Sequence, residues 1–270
     1  MKNAFLLLFL SLVFFSCATK APPKDPILTH ESLTIKSTIL GEDRLINIWL
    51  PPNYLESKDS FPVMYMLDGG IKEDFPHIAN TLSALIQAGK IKPVILVGIE
   101  NTQRRRDLSG FTAVESDKKI APVVGGSQPF RTFIAQELFP TIHSKYRIKG
   151  PKSIIGESLA GLFIMETFFL KPEMFDQYIA FDPSLWWNNH ELVTQSKKYL
   201  EHFPKTQKSL WFAGSNATDI KQYTNKLSQI LSSSQIENLR WKYEDEPKLT
   251  HKTIFRAKKE EAIIWSLQAD

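Results

Sequence analysis

Short apolar runs alternate with helical patterns along most of the chain, and this alternation limits the fold more than any other feature. The predicted strands cover Val63–Leu67, Val94–Gly98, Ser153–Gly156, Tyr178–Phe181, Leu210–Ala213 and Leu239–Tyr243. The predicted helices cover Phe75–Ala88, Phe130–Lys145, Leu159–Leu170, Ile220–Leu231 and Thr253–Leu267. Mostly continuous apolar strands are typical of parallel sheets that are buried on both faces. The sequence therefore predicts an α/β domain with right-handed crossovers.

The first part of this domain has a different pattern. Ser32–Ile39 and Arg44–Leu50 alternate apolar and polar residues around the turn Gly41-Glu42-Asp43, and Pro51-Pro52 follows. Such alternation predicts an antiparallel hairpin. With it the sheet has about eight strands, mostly parallel, with helices on both faces. Catalytic groups are expected where the parallel strands end, at their carboxyl ends.

A candidate nucleophile stands at one such strand end. Residues 153–161 read Ser-Ile-Ile-Gly-Glu-Ser-Leu-Ala-Gly, so Ser158 lies between an apolar run and a helical pattern. A sharp strand-to-helix turn holds a serine hydroxyl clear of the backbone beside a base. The small residues Gly156, Ala160 and Gly161 suit that turn, although the fifth position of the G-x-S-x-G pattern is alanine. The alternative is a plain strand-turn-helix connection.

The base of a serine hydrolase with this chain order is a histidine in the loop after the last strand. Of the six histidines, only His251 has that position. The acid that orients it is less clear. Asp219 follows the strand that ends at Ala213 and is the expected acid, with a role at the helix start as its alternative. Asp182 is a second candidate.

Further alternatives for the orienting group remain open. Asp245 and Glu246 precede His251 in the same loop, and a backbone carbonyl or a water molecule are the others. The oxyanion hole is predicted to combine the backbone N–H of Leu159 with one from Gly69 or Gly70. Two consecutive glycines let a backbone approach a substrate oxygen closely, and an ordinary tight turn is the alternative reading.

The amino terminus predicts export. Residues 1–16 have the length and apolar character of a signal peptide, and Cys17, the one cysteine, follows Ser16 as in a bacterial lipoprotein signal. An ordinary signal peptide with an incidental cysteine is the alternative. Residues 17–30 are predicted to be a lipidated cysteine and a flexible tether, and residues 31–270 the α/β domain. The expected location is the periplasm or outer membrane, with a lipid anchor on Cys17.

Charge and composition exclude several classes. The formal net charge of +4 is spread over many lysines and glutamates, so no nucleic-acid partner is expected. No clustered His, Asp and Glu pattern predicts a metal site, and the expected chemistry needs no cofactor. Nothing in the sequence indicates the oligomeric state.

Several segments together resemble one family. They are residues 65–70, 97–102, 104–108, 133–146, 155–162 and 183–187, read from Tyr-Met-Leu-Asp-Gly-Gly to Pro-Ser-Leu-Trp-Trp. They resemble the esterase family of α/β-hydrolases that includes enterochelin esterases, with S-formylglutathione hydrolases and feruloyl esterases as more distant members. The resemblance implies the α/β-hydrolase fold and the roles given to Ser158 and His251. Relatives often have serine where this chain has Asp182, and some members work with a Ser-His dyad.

The resemblance also implies substrate contacts and an activity. Arg106 is expected to bind substrate oxygens or to brace its loop through Asp107, and Trp186 and Trp187 to offer flat surfaces to an aromatic or sugar group. Lys252, after the histidine, departs from the family and leaves the pocket shape open. The expected function is a serine esterase that acts on a small-molecule or glycan-linked ester, such as a siderophore or a polysaccharide. The alternatives are an acyltransferase and a non-catalytic surface lipoprotein that binds a siderophore or glycan.

Overall fold

The computed structural model describes residues 25–268. The predicted signal peptide, Cys17 and most of the predicted tether lie outside the described residues. A single sheet of eight strands runs through the domain in the order β1-β2-β4-β3-β5-β6-β7-β8. The strands are β1 Glu31–Ser37, β2 Glu42–Trp49, β3 Phe61–Met66, β4 Ile95–Ile99, β5 Ile148–Glu157, β6 Gln177–Phe181, β7 Lys208–Gly214 and β8 Leu239–Asp245.

The pairing directions agree with the sequence pattern. β1 and β2 form an antiparallel hairpin, and β2 pairs antiparallel with β4. All later neighbours are parallel, from β4 through β3 and β5 to β8. The prediction of a mostly parallel sheet of about eight strands with an amino-terminal hairpin is therefore confirmed. The carboxyl ends of β3, β5, β6, β7 and β8 meet at one edge of the sheet.

Helices cover both faces of the sheet. They are α1 Phe75–Gln87, α2 Arg104–Asp107, α3 Glu115–Ile120, α4 Ser127–Phe133, α5 Phe139–Lys145, α6 Leu159–Leu170, α7 Trp187–Leu200, α8 Thr218–Ser234 and α9 Ile254–Leu267. One buried cluster joins α1 and α9 to the sheet, and a larger one joins α4 to α8 to the other face. Because both faces are covered, the central strands read as continuous apolar runs.

Two helical segments differ from the predictions. The predicted helix Phe130–Lys145 is divided into α4 and α5 by a π-helical turn over Ile134–Leu138. Pro140 lies in the first turn of α5 and has no N–H to donate, which favours such a break. Helix α7 was not predicted, because its sequence is mostly polar. In the structure its first turn also departs from helical geometry, since Asn188, Asn189 and His190 have positive φ.

Among the described residues, no helix is long and apolar enough to cross a membrane.

Candidate active site

Ser158 lies in a strained turn between β5 and α6. Its backbone φ is +63°, a value that residues other than glycine rarely adopt. Its backbone carbonyl accepts the N–H of Leu162 at 2.9 Å. A Cβ on Gly156 would come within 2.7 Å of the Ala160 side chain, so only glycine allows this close turn. The turn points the Ser158 side chain away from the strand, as the G-x-S-x-G pattern predicts.

His251 reaches this serine from the loop between β8 and α9. Its Nε2 lies 3.1 Å from the Ser158 Oγ. Its Nδ1 lies 2.8 Å from a carboxylate oxygen of Asp182. The imidazole therefore lies between a hydroxyl and a carboxylate, with one nitrogen directed at each. This is the relative placement that a nucleophile, a base and an orienting acid require.

Asp182, one residue past the end of β6, is fully buried. One carboxylate oxygen contacts His251, and the other accepts the backbone N–H of Ser215 at 2.5 Å, just beyond β7. Its φ of +43° directs the side chain from the strand end toward the histidine loop. The hydrogen bond to Asp182 is the main cause that raises the pKa of His251 above its usual value of 6.5.

The structure corrects the choice of Asp219 as the orienting acid. Asp219 is exposed in the first turn of α8, where the helix dipole favours a negative charge, and among the described residues it forms no hydrogen bond or ion pair with His251. Its charge raises the pKa of His251 less than Asp182 and Glu157 do. The alternatives in the histidine loop are also engaged elsewhere, since Asp245 pairs with Lys221 and Glu246 with Lys258. Asp182, the second candidate, occupies the position that was expected of Asp219.

The three predicted oxyanion donors differ in availability. The N–H of Leu159 opens α6 and has no partner among the described residues, as at any helix start. The N–H of Gly69 donates to the Ile99 carbonyl at 2.9 Å, so it serves the junction between β3 and β4. A Cβ on Gly69 would meet the backbone of Ile99 at 2.3 Å, which explains the glycine. The N–H of Gly70 donates to the Glu73 carboxylate at 2.7 Å.

The predicted substrate ligand Arg106 is already engaged by other side chains. Arg106 donates to Glu42 and Asp107, so the structure corrects its assignment as a substrate ligand in favour of the bracing alternative. Arg104 is the arginine beside the nucleophile. It forms two hydrogen bonds with the Asp68 carboxylate and donates to the Glu157 carbonyl at 3.4 Å. No sequence pattern separates these two arginines, because they lie two residues apart in one helical turn.

The two tryptophans also have different positions. Trp187 is 5% exposed, and its indole N–H donates to the Gly110 carbonyl at 3.2 Å. Trp186 is half-buried and packs with its ring 5.9 Å from that of Trp187. Trp187 lines a cavity beside α6, whereas Trp186 packs against the core that joins α6 and α7.

Glu157, between Gly156 and the nucleophile, is a site residue that the sequence reading missed. It lies on the α1 and α9 face of β5, and its Oε1 is buried without a partner among the described residues. Burial raises the pKa of Glu157 to about 7. Its charge in turn raises the pKa of His251. The signal in the sequence was a carboxylate directly before the candidate nucleophile in the strand-to-helix turn.

Other titratable groups surround this edge of the sheet. Burial, and next the nearby Asp68, raise the pKa of Asp74 to about 6. Burial lowers the pKa of His77 to about 4, and neither ring nitrogen of His77 has a hydrogen-bond partner in the described part of the chain. Across residues 25–268, no group of three or more His, Cys, Asp or Glu side chains is placed to hold a metal ion.

The chain is similar to several known proteins. A model of the family described as putative esterase matches residues 37–248. The chain belongs to this family. Its ferri-bacillibactin esterase relative BesA from Bacillus subtilis (strain 168) is 27% identical over 228 residues, which are 76% of this chain and 73% of the relative. Its siderophore triacetylfusarinine C esterase relative from Aspergillus fumigatus is 32% identical over 175 residues, 60% of this chain and 58% of the relative.

A solved structure of an IroE-like serine hydrolase from Shewanella oneidensis superposes with a TM-score of 0.82. It is 29% identical and covers 90% of this chain and 82% of its own. These matches confirm the α/β-hydrolase fold and the resemblance to siderophore esterases. Since the family and its named relatives are esterases, the chain is a carboxylic ester hydrolase.

Proposed function

We propose that the chain hydrolyses a siderophore ester through an acyl-enzyme on Ser158. The observation that carries this proposal is the continuous contact from the Ser158 Oγ through the His251 ring to the Asp182 carboxylate, with spacings of 3.1 Å and 2.8 Å. The substrate class is supported by relatives that are named as esterases of ferri-bacillibactin and triacetylfusarinine C.

In the first half-reaction, His251 Nε2 takes the proton of Ser158 as Oγ attacks the ester carbonyl carbon. The carbonyl oxygen becomes an oxyanion, and the imidazolium that forms is stabilised by the adjacent Asp182 carboxylate. The tetrahedral intermediate then breaks its bond to the alcohol oxygen, and His251 returns the proton to that oxygen. The products are the free alcohol and the acyl group bonded to Ser158.

In the second half-reaction, His251 takes a proton from water, and the hydroxide attacks the acyl carbon. Collapse of the second intermediate expels the Ser158 oxygen, which regains its proton from His251. The acid is released and the free enzyme is restored, so the atoms and protons balance over the cycle.

Two backbone N–H groups suit the oxyanion. The Leu159 N–H lies directly after the nucleophile at the positive end of the α6 dipole. The Gly70 N–H now donates to a carboxylate oxygen of Glu73 at 2.7 Å. A negatively charged oxygen already occupies this donor, so we assign Gly70 as the second donor once the substrate oxygen replaces Glu73.

The test is hydrolysis of p-nitrophenyl acetate and of a siderophore trilactone by the wild type and by Ser158→Ala. We expect Ser158→Ala to lower kcat by at least about 10⁴-fold with both esters. A fluorophosphonate should label the wild type at Ser158. Serine-independent turnover would overturn the mechanism. Serine-dependent hydrolysis of p-nitrophenyl acetate without cleavage of any siderophore ester would overturn only the substrate assignment.

We also propose that the protein is exported and anchored through a lipid on Cys17, as residues 1–17 predict. Metabolic labelling with a palmitate analogue in a bacterial host tests this. The wild type should incorporate the label and fractionate with membranes, and Cys17→Ala should do neither. An unlabelled, membrane-free wild type would contradict the anchor without affecting the esterase assignment.

A further inference from the structure

A cavity lies between α6 and α7, and its lining includes Leu162, one helical turn along α6 from Ser158. Its volume is about 170 Å³, close to the ~150 Å³ of an apolar cavity that holds a benzene molecule. Its apolar lining includes Phe111, Leu162, Trp187 and Tyr199. A space of this size and lining suits one aromatic ring. We call it the ring cavity.

The ring cavity is tied to the catalytic serine by backbone contacts. The Leu162 N–H donates to the Ser158 carbonyl at 2.9 Å. The Ser184 backbone N–H donates to the same carbonyl at 3.1 Å, and the Trp187 backbone N–H donates to the Ser184 carbonyl at 3.1 Å. Leu162, on one wall of the cavity, therefore lies one helical turn from Ser158. Trp187, on the other wall, is connected to Ser158 through the backbone of Ser184.

One wall of the ring cavity is strained. Asn188, Asn189 and His190 follow one another with φ values of +48°, +52° and +53°. Backbone in this region costs free energy, and it persists where neighbouring groups hold it, often at ligand sites. The segment is held by the nearly buried Asp117, which accepts the Asn188 N–H at 2.8 Å.

A second contact fixes the same wall. The Asn188 side-chain oxygen accepts the Ala113 N–H at 3.0 Å, and Thr112 donates to Asp117 at 2.7 Å. The loop that carries Phe111 and the strained segment are thereby joined. Phe111 itself is 71% exposed, so a large apolar ring is held at the rim instead of packing into the core.

The charged groups that line the ring cavity are both carboxylates. Glu166 is paired with Arg131 at 3.0 Å, and Arg131 lies behind it over the Phe163 ring. Glu191 is exposed and accepts only the side-chain amide of Asn188, so its charge has no cationic partner in the described part of the chain. Both carboxylates lie near Tyr199 and, after burial, are the causes that raise its pKa.

We propose that the ring cavity binds an aromatic substituent of the ester and that Glu191 selects neutral or cationic rings with hydrogen-bond donors over anionic ones. The proposal rests on the proposed esterase function and deepens it. An aromatic ring with a hydroxyl or ammonium group can donate to Glu191 while its face packs against Trp187 and Phe111. An anionic ring would place two like charges together in a partly closed cavity.

The experiment uses two series of esters whose phenyl ring carries a hydroxyl, an aminomethyl or a carboxylate group. In one series the ring is on the acyl side, in p-nitrophenyl 3-phenylpropanoates. In the other it is on the alcohol side, in 3-phenylpropyl acetates. The ring substituents lie far from the ester bond, so they change its intrinsic reactivity little. Each enzymatic rate is divided by the rate at which hydroxide hydrolyses the same ester. We expect kcat/KM for the cationic ring to exceed that for the anionic ring by about tenfold in at least one series.

The variant Glu191→Gln should lower this cation-to-anion ratio several-fold, because it removes the charge and retains the shape. Glu237→Gln is the matched control, since Glu237 is equally exposed but lies before β8, at the opposite edge of the sheet. It should leave the ratio unchanged. In Phe111→Ala, kcat/KM for the phenyl esters should fall relative to that for p-nitrophenyl acetate.

Equal rates for cationic and anionic rings in both series would overturn the proposal, as would a ratio that Glu191→Gln does not alter. Both results are distinct from failure of the esterase assignment. That failure would appear as turnover of p-nitrophenyl acetate that survives Ser158→Ala.

Discussion

The two ends of the parallel sheet differ in which residue types have a positive φ. At the carboxyl ends, positive φ values fall on residues with functional side chains, namely Asp68 at +53°, Ser158 at +63° and Asp182 at +43°. Toward the amino ends, the chain before β4 and near the start of β5 uses Gly89 at +66° and Gly150 at +107°.

The difference shows what each end of the sheet must provide. The amino ends need only a change of chain direction, which glycine supplies without a steric penalty. The carboxyl ends need a hydroxyl or a carboxylate at a fixed point. Each non-glycine residue in this region costs about 1–3 kcal/mol, and packing elsewhere in the fold offsets that cost. The strained residues at these strand ends therefore coincide with the site.

The comparison is tested most strongly at Asp182. We expect Asp182→Asn to lower kcat/KM by about a thousandfold, because an amide neither stabilises the imidazolium nor fixes the His251 tautomer as the carboxylate does. Asp219→Asn is the matched control, and its effect should be within about twofold, as for an exposed surface position. Steady-state kinetics with p-nitrophenyl acetate measures both.

The fold of these variants is checked by circular dichroism and thermal unfolding, since the side-chain amide in Asp182→Asn would retain an oxygen for the Ser215 N–H. If Asp219→Asn were as damaging as Asp182→Asn, the carboxylate that contacts His251 would not be the one that orients it.

The pH dependence gives the next largest effect. His251 acts as a base only when it is neutral, so kcat/KM should fall about tenfold per unit as the pH drops below its pKa. Because the hydrogen bond to Asp182 raises that pKa, the midpoint should lie above the usual histidine pKa of 6.5. In Asp182→Asn the midpoint should move to lower pH.

Glu157→Gln sharpens the pH experiment. The Glu157 charge is a smaller cause of the raised His251 pKa than Asp182 is. Its removal should move the midpoint in the same direction by a smaller amount. A pH profile that is identical in the wild type and both variants would show that neither carboxylate acts on the base.

A third prediction compares two arginines of one helical turn. Arg104→Ala should lower kcat/KM about tenfold with little loss of stability, because it releases the strained Asp68 loop beside Ser158. Arg106→Ala should instead lower the free energy of unfolding by about 2 kcal/mol, since it removes charged hydrogen bonds to Glu42 and Asp107. Kinetics and denaturant unfolding of both variants separate the roles. An equal loss of activity in both would contradict the division.

Much of this arrangement could be predicted from sequence, and the exceptions have a common cause. The strand pattern predicted the sheet. The G-x-S-x-G pattern predicted Ser158, and chain order predicted His251. The acid could not be chosen in the same way, because Asp182 and Asp219 each follow the carboxyl end of a strand. Only the positive φ of Asp182, a property of the folded backbone, directs its carboxylate to the histidine.

The oxyanion loop shows the same limit. Its two glycines predicted a close backbone approach, which the structure contains at Gly69 and Ile99. Which N–H remains available depends on the partners of each group, and the carboxylate of Glu73 lies three residues further along the chain from Gly70. Spacing predicts which elements meet at the site, whereas hydrogen-bond partners are decided by side-chain direction after folding.

The smallest predicted effect concerns the exception at the amino end of the sheet. Gln235 follows α8 with φ of +43°, although no catalytic group lies there. Gln235→Gly should raise the free energy of unfolding by up to about 1 kcal/mol, because glycine suits a left-handed helix end, and it should leave kcat unchanged. Asp182→Gly relieves the same backbone strain but should abolish most activity. Denaturant unfolding and kinetics of both variants then show whether the strain at the carboxyl ends is retained for the side chain it positions. A stability gain at Asp182 without loss of kcat would refute that view.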